Sequence, residues 1–234
     1  MLRISKLCFS KGAFNLKIDS LVLNKGDLVL LIGPNGSGKT SLLKTIAGVT
    51  KYNGKVFFED KLVNGLSYKE RAKITAYLPQ RINQSEILVK DFLLMGRFPY
   101  TNTFGSYSFN DHEISKMIAS KFFIDRYMER DLFSLSQGEF QRVLIAKTFV
   151  QKAKVLLLDE PSTSLDIGHK HCVKEQILAY KNSDPDSIVV VSTHEPELFS
   201  DIATGFIMLK EGRVFKQGLM STYEKKDINE LFDF

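Results

Sequence analysis

Residues 33 to 40 read Gly33-Pro-Asn-Gly-Ser-Gly-Lys-Thr40. They fit the pattern G-x-x-x-x-G-K-[ST], which forms a phosphate-binding loop when it follows a strand and opens a helix. The apolar run at 28–32 is typical of a buried strand, and a helix is predicted at 39–47. Glycines let the backbone wrap around a phosphate, so that N–H groups and the helix N-terminus point inward.

The same loop contains the residues that we expect to hold a nucleotide, namely Asn35, Gly36, Ser37, Gly38, Lys39, Thr40 and Ser41. Lys39 can reach the β- and γ-phosphates and neutralise their charge, and the Thr40 hydroxyl can ligate Mg²⁺. The alternative is a glycine-rich turn before an ordinary helix. The predicted strand and helix on either side favour the phosphate site.

A second motif, Val155-Leu-Leu-Leu-Asp-Glu-Pro161, is a hydrophobic strand that ends in two acids. In P-loop enzymes the first acid at such a strand end holds Mg²⁺, directly or through water, which assigns this role to Asp159. Glu160 points differently and can polarise an attacking water. Solvated acids at a strand end are common, but the phosphate loop upstream makes the two motifs parts of one site.

Short apolar runs alternate with helical patterns along the chain, which is typical of an α/β fold with a buried sheet. Further strands are predicted at 4–9, 14–18, 55–58, 76–78, 155–158, 188–192, 205–209 and 213–217. Further helices are predicted at 89–95, 111–119, 137–149, 167–180 and within 221–234. The stretch from about 81 to 135 resembles a helical insertion between two halves of the sheet.

Finer features give three local predictions. Asn110 is predicted to cap the helix at 111–119, with Glu113 at the third helical position. Glu211-Gly212 is predicted to form the turn of a hairpin. Cys8 and Cys172 lie far apart without metal-ligand spacing, so we expect two reduced thiols in the core.

The stretch Leu135-Ser-Gln-Gly-Glu139 opens the predicted helix at 137–149. Together with the phosphate loop and the two acids, it resembles the signature motif of the ATP-binding-cassette family, and the resemblance covers nearly the whole chain. It implies that ATP is the nucleotide and that Ser136, Gln137 and Gly138 contact the ATP held by a second copy. Gln137 stands where a second glycine is more usual in the family.

Three other stretches resemble family motifs. Gln80 is similar to the glutamine that contacts Mg²⁺ or water and senses the membrane partner, and Ser164-Leu-Asp166 resembles the loop that crosses between subunits. His194 resembles the switch histidine that contacts the γ-phosphate. The implied reaction is hydrolysis of ATP to ADP and phosphate. The implied catalytic residues are Glu160, His194, Gln80 and Lys39, and the implied Mg²⁺ ligands are Thr40, Gln80 and Asp159.

The resemblance fails at the position that usually stacks on adenine. Family members carry an aromatic residue there, whereas Leu7-Cys-Phe-Ser-Lys-Gly12 aligns Lys11 with it. Phe9 or Phe14 could substitute, or adenine is held weakly. The sequence therefore assigns no adenine-stacking residue.

The implied fold is the P-loop ATPase fold of this family. It is an α/β fold with a mixed, largely parallel RecA-like core sheet, an N-terminal antiparallel β subdomain and a helical subdomain. We predict a single domain over residues 1–234. The catalytic core would take about 1–80 and 150–234, and the helical subdomain would take about 81–149 and carry the signature motif.

The predicted insertion contains a hint of subgroup. Met95-Gly-Arg-Phe-Pro-Tyr100 resembles a stretch in ATPases that serve importers of iron–siderophore complexes, haem and vitamin B12, although an ordinary capped helix end remains open. The resemblance thus implies an importer subunit. The alternatives are the ATPase of an exporter and a non-transport ATPase such as an iron–sulfur assembly factor.

Composition limits the partners. The net charge of +5 is not the profile of a nucleic-acid-binding protein, and no apolar run approaches the roughly 20 residues of a membrane span. We expect a cytoplasmic protein, peripheral on the inner face of the membrane. The resemblance implies a head-to-tail homodimer, integral-membrane permease subunits and, indirectly, a periplasmic or lipid-anchored substrate-binding protein.

Charge is unevenly spread along the chain. Residues 1–90 carry a net +9 and residues 91–234 a net −4. This difference either steers the pairing of two copies or reflects lysine-rich surface loops that happen to lie early in the chain. Both explanations stay open at this point.

Overall fold

The computed structural model describes residues 1–80, 82–102 and 104–232. Its strands are β1 (Leu2–Lys11), β2 (Phe14–Leu23), β3 (Leu28–Ile32), β4 (Asn53–Phe58), β5 (Lys61–Leu62), β6 (Thr75–Leu78), β7 (Val155–Asp159), β8 (Ile188–Ser192), β9 (Gly205–Lys210) and β10 (Arg213–Leu219). Its α-helices are α1 (Lys39–Ile46), α2 (Tyr68–Ile74), α3 (Val89–Leu94), α4 (Phe109–Lys121), α5 (Gln137–Val150), α6 (Ile167–Ser183), α7 (Pro196–Phe199) and α8 (Lys225–Phe232).

Within the described residues, the central sheet has six strands in the order β10-β9-β3-β8-β7-β6. All neighbours pair in parallel except β10 and β9, which form an antiparallel hairpin around the left-handed turn at Glu211 and Gly212. Strands β3, β7 and β8 are buried at every position, as a parallel sheet covered on both faces requires. This confirms the predicted mixed core sheet.

A second sheet, in the order β2-β1-β4-β5, is entirely antiparallel. Alternation along β3 shows how the two sheets share the interior, because side chains of successive strand residues point to opposite faces. Leu31 lies in a core with α1 and the antiparallel sheet, whereas Leu30 lies in a core with α3, α4 and α5. The antiparallel part and the helical part therefore cover opposite faces of the central sheet.

The helical segment lies between β6 and β7 in the chain. Its Met95–Tyr100 stretch forms a 3₁₀ helix in which Gly96, Arg97 and Pro99 are buried. A Cβ on Gly96 would lie 2.7 Å from the Lys147 carbonyl oxygen of α5, so this close approach requires glycine. Arg97 donates from Nε to Asp111 Oδ1 at 2.8 Å and from Nη1 to the Val150 carbonyl at 3.0 Å. The stretch thus ties α3, α4 and α5 together.

We expect Arg97→Ala to lower the free energy of unfolding by about 3–5 kcal/mol, because it leaves the buried Asp111 carboxylate without its cation. The two side chains are only 6% and 4% exposed. Burial raises the pKa of Asp111, but hydrogen bonds from Ser108 and Arg97 outweigh burial and leave the pKa lowered. Urea unfolding measures the change.

The control for this experiment is Lys116→Ala. Lys116 pairs with Glu113 on the exposed face of α4, where both side chains are at least half exposed. An exposed pair contributes about 1 kcal/mol or less. Equal losses in the two variants would contradict a structural role for the buried pair.

The predicted start and cap of α4 need correction, and the sequence analysis missed some short elements. Helix α4 begins at Phe109, not Asp111, and its cap is Ser108 in a reciprocal box with Asp111, so Asn110 is not the cap. A second box, between Ser67 and Glu70, starts helix α2, which the sequence analysis missed although the pattern was legible. The two-residue strand β5 was also missed.

The cysteines were placed in the core, which is wrong. Both are free, but Cys8 is exposed and Cys172 is half-buried. Cys8 follows the buried Leu7 in β1, so the strand alternation turns its thiol to solvent.

The predicted terminal helix is present as α8, and residues 233–234 lie outside the described part. Within the described ranges, the structure has no helix that is both long and apolar enough to span a membrane.

Candidate functional site

The predicted phosphate loop connects the end of β3 to the start of α1. A Cβ on Gly33 would lie 2.4 Å from the Leu209 carbonyl oxygen, and one on Gly38 would lie 2.9 Å from the Phe14 ring. Gly38 also has a φ of +108° and precedes the first helical residue, Lys39. These positions explain why the loop sequence needs glycine: β9 and β2 approach its backbone too closely for a side chain.

The inside of the loop is lined with donors. Lys39 is 6% exposed, and its Nζ donates to the carbonyl oxygens of Gly33 at 2.7 Å and Pro34 at 3.2 Å. Burial lowers the pKa of Lys39, and the nearby carboxylates of Glu160 and Asp159 oppose that lowering. The Ser37 hydroxyl is buried and has no hydrogen-bond partner among the described residues. A cation and an unsatisfied hydroxyl facing one loop suit an anionic ligand.

The N-terminus of helix α1 also favours an anionic ligand at the loop. It has no acidic residue in its first turn and no side-chain cap, since Gly38 precedes it. The first N–H groups of a helix have no intrahelical acceptor and carry a partial positive charge, so this end of α1 favours a phosphate.

The two predicted acids stand at the end of β7. Asp159 is fully buried and accepts hydrogen bonds from Ser192 Oγ on Oδ1 at 2.7 Å and from the Tyr77 hydroxyl on Oδ2 at 3.3 Å. The sequence analysis named neither donor.

Two predicted site residues, Gln80 and His194, contact a third, Glu160. The Gln80 amide nitrogen Nε2 lies 2.7 Å from Glu160 Oε2, and His194 Nε2 lies 2.7 Å from Oε1. Glu160 has a φ of +53°, a left-handed conformation that costs free energy in a residue with a side chain. The Glu160 side chain is 11% exposed. The fold therefore brings Gln80, Glu160 and His194, which are far apart in sequence, into direct contact.

A cavity of about 330 Å³ lies between Glu160 and the phosphate loop. It is lined by Lys11, Phe14, Gln80, Glu160 and the loop residues from Asn35 to Ser41. Lys11 therefore lies on this cavity, and the neighbouring Phe14 supplies an aromatic ring. Phe9 instead lines a larger groove of about 840 Å³ with Cys8 and Tyr52, away from the phosphate loop. Of the two aromatic candidates for stacking on adenine, the structure favours Phe14.

The signature residues lie elsewhere. Ser136 caps α5 in a reciprocal box with Glu139, and Ser136 and Gln137 are exposed while Gly138 is half-buried. None of them is among the described residues that line the 330 Å³ cavity. A hydrogen bond from Tyr127 first, and one from the Ser136 N–H second, lower the pKa of Glu139 to about 2. Ser136 Oγ accepts from the Glu139 N–H at 3.4 Å.

The loop 164–166 adjoins this helix end. Ser164 has a φ of +65°, and its carbonyl oxygen lies 3.5 Å from the place a Cβ on Gly138 would take. Asp166 caps α6 by accepting from the His169 N–H at 2.9 Å. The two stretches that resemble intersubunit motifs thus form one surface.

The residues of this site suit a Mg²⁺ ion that is also bound by phosphate oxygens. The described part of the chain has no cluster of three or more His, Cys, Asp or Glu that could hold a metal by itself. Thr40, Gln80 and Asp159 offer single oxygen ligands, and Mg²⁺ is commonly bound by one or two such groups together with substrate phosphates and water.

Comparison with known proteins defines the class. Residues 16–163 match the family described as ABC transporter. An uncharacterised ABC transporter ATP-binding protein of Methanocaldococcus jannaschii, MJ0873, is 35% identical over 92% of this chain and 74% of its own length. The iron(3+)-hydroxamate import ATP-binding protein FhuC of Bacillus subtilis is 34% identical over 85% of this chain and 74% of its own length.

A solved structure agrees with this class. It is described as an inward-facing ABC transporter of metal-chelate type, and one of its chains superposes with a TM-score of 0.80 and 27% identity. The alignment covers 99% of this chain and 88% of that chain. The chain therefore belongs to the ABC transporter family. It is an ATP-binding subunit of that family and an ATPase.

Proposed function

We propose that the loop 33–41 binds Mg²⁺-ATP and that Glu160 directs water to the γ-phosphate, which yields ADP and phosphate. The observation that carries this proposal is the contact of Glu160 with both Gln80 and His194, each at 2.7 Å, on the cavity that the phosphate loop lines. A carboxylate held on two sides next to a phosphate site is suited to orient a water and to accept its proton.

The other residues stabilise charge. Lys39, Ser37 and the loop N–H groups hold the phosphate oxygens, and His194 donates to the γ-phosphate beside the attacking water. Thr40, Gln80 and Asp159 would hold Mg²⁺, which neutralises phosphate charge when bound. Phe14 packs against the base, and Lys11 lies beside it. Asn35, Gly36, Gly38 and Ser41 complete the loop around the phosphates.

The active form is a head-to-tail homodimer. Ser136, Gln137 and Gly138 lie outside the cavity of their own chain, and Ser136 is exposed at the N-terminus of a 14-residue helix. Such a helix end binds anions, so it serves the γ-phosphate held by a second copy. Two-fold symmetry then completes two sites at once.

Ser136→Ala is expected to weaken ATP-dependent dimerisation of the Glu160→Gln protein at least about 10-fold, because a charge-assisted hydrogen bond to phosphate is lost. Analytical ultracentrifugation with and without ATP measures the dimer fraction. Loss of an N-cap costs stability in its own right, so the matched control is Ser108→Ala, which removes the equivalent cap of α4. An unchanged ATP-dependent dimer fraction after Ser136→Ala would overturn the composite site.

The dimer powers import across a membrane. The support is the name of the Bacillus subtilis relative, which concerns iron(3+)-hydroxamate import, and the metal-chelate description of the solved structure. We propose an importer of a metal chelate, of the class that contains iron–siderophore complexes, haem and cobalamin. The chain would be cytoplasmic and peripheral on the inner face of the membrane.

The membrane-spanning permease subunits would contact the surface near Gln80 and the insertion. That surface exposes apolar side chains on α2 and on the 3₁₀ helix, including Tyr68 at 67% and Phe98 at 42%, whose rings lie 6.3 Å apart. Arg81 and Thr103, which fall in the predicted contact region, lie outside the described residues. A periplasmic or lipid-anchored substrate-binding protein would act through the permease and would not touch this chain.

Co-purification tests the transport assignment. A tagged chain is expected to retain a hydrophobic integral-membrane partner in mild detergent, and the complex in proteoliposomes should take up an iron(III)–trihydroxamate, haem or cobalamin with ATP. ATP-driven efflux would favour an exporter, and a purely soluble complex would favour an assembly factor.

A further inference from the structure

Ser192 lies where β7 and β8, the strands that lead to Glu160 and His194, both end. Strands β7 and β8 are parallel neighbours, and their register pairs Asp159 with Ser192, the last residue of each. Asp159 is followed directly by Glu160, and Ser192 precedes His194 by two residues. Ser192 therefore stands between the acids of one strand and the histidine that follows the other.

The Ser192 hydroxyl makes one hydrogen bond to each acidic residue. Its Oγ donates to Asp159 Oδ1 at 2.7 Å, and it accepts from the Glu160 backbone N–H at 3.0 Å. Ser192 is fully buried, so water does not compete for either bond. A hydroxyl has one proton and two lone pairs. Here the Ser192 proton is donated to the Asp159 carboxylate, and a lone pair accepts from the Glu160 N–H.

Glu160 depends on such contacts. Its left-handed φ of +53° is unfavourable for a residue with a side chain, and such a conformation persists only where the surroundings determine it. Besides Ser192 Oγ, the Glu160 N–H has the Ser192 carbonyl oxygen at 3.2 Å. Both acceptors of this N–H thus belong to Ser192.

Asp159 is held from its other side by Tyr77. Burial first, and the Asp159 charge second, raise the pKa of the Tyr77 hydroxyl, so it stays protonated and donates to Oδ2. Each carboxylate oxygen of Asp159 therefore has one donor and keeps lone pairs for a further ligand. Among the described residues, loss of the Ser192 donor would leave the Asp159 side chain anchored by the longer bond from Tyr77, at 3.3 Å.

We propose that Ser192 is a positioning residue for hydrolysis, which sets the orientation of the Asp159 carboxylate and the backbone of Glu160 through one hydroxyl. The proposal rests on the roles of Asp159 and Glu160 proposed above. Ser192 is not among the described residues that line the 330 Å³ cavity, so it acts on turnover and on the use of Mg²⁺, and not on the affinity of the phosphate loop for ATP.

The test compares two buried serines that are five residues apart. Ser187, just before β8, is also fully buried, but its hydroxyl has no hydrogen-bond partner among the described residues. Ser192→Ala is expected to lower kcat by about 10- to 100-fold, as loss of a hydrogen bond to a charged group implies, with KM for ATP changed less than threefold. Ser187→Ala is expected to keep the kcat of the unmodified protein.

A binding measurement separates positioning from unfolding. Titration with a fluorescent ATP analogue should give similar affinities for all three proteins without Mg²⁺, and the gain in affinity on adding Mg²⁺ should be smaller for Ser192→Ala alone. Equal kcat in Ser192→Ala and the unmodified protein, or an equal fall in Ser187→Ala, would overturn the proposal.

Glu160→Gln is measured beside the two serine variants. If Glu160→Gln hydrolyses ATP normally, the proposed role of Glu160 fails. If Glu160→Gln is inactive while Ser192→Ala is normal, only the positioning role of Ser192 fails.

Discussion

Glu160→Gln is expected to slow ATP hydrolysis by about 10²- to 10⁴-fold while ATP still binds, because the amide can neither accept a proton nor orient water as the carboxylate does. The substitution preserves size, and the amide can still contact Gln80 and His194, each of which lies 2.7 Å from a Glu160 oxygen. Phosphate release at saturating ATP measures turnover, and filter binding of labelled ATP measures occupancy.

The slow variant should also accumulate as an ATP-bound dimer, because in the proposed mechanism ATP binding joins the two copies and hydrolysis separates them. The control is Glu175→Gln on α6, which makes the same change at an exposed glutamate outside the cavity. Near-normal phosphate release from Glu160→Gln would remove Glu160 as the residue that orients water.

Lys39→Met is expected to weaken ATP binding by about 10- to 100-fold and to abolish measurable hydrolysis. Methionine fills a similar volume but takes the charge away from the centre of the phosphate loop, where Lys39 is only 6% exposed. A buried cation interacts with phosphates at low effective dielectric, so its removal costs more than that of a surface charge. Calorimetric titration with ATP, combined with phosphate release, measures both effects.

Lys44→Met is the matched control, because Lys44 lies in the last turn of the same helix, α1. The substitution removes one positive charge from the helix, but Lys44 does not line the cavity. Similar losses of ATP affinity in the two variants would mean that net charge on α1, and not the position of Lys39, governs binding.

Predictions from apolar runs were the most accurate. The boundaries predicted for β3 and β8 match the structure at both ends, and β7 extends by one residue to Asp159. A strand buried on both faces is a continuous apolar run bounded by polar or glycine residues, which can be read directly from sequence. The left-handed turn at Glu211-Gly212 was equally legible.

Predictions that depended on choosing between neighbouring polar residues were less accurate. Asn110 and Ser108 are both competent helix caps, and the structure selects Ser108 because Asp111 then also reaches back to its N–H and pairs with Arg97. Arg97 is 14 residues away in sequence, so no local pattern reveals that pair. Cys8 failed for a related reason, since an apolar residue type says nothing about which face of a strand it occupies.

The sequence by itself determined the phosphate loop, the two acids of β7 and the signature stretch, because each is a contiguous motif whose chemistry depends on local backbone and residue type. It did not determine which distant side chains hold those motifs in place. Ser192 and Tyr77 contact Asp159 from positions 33 residues after it and 82 before it. Only the tertiary structure decided these contacts, because they arise from the order and register of parallel strands that are joined through long helical connections.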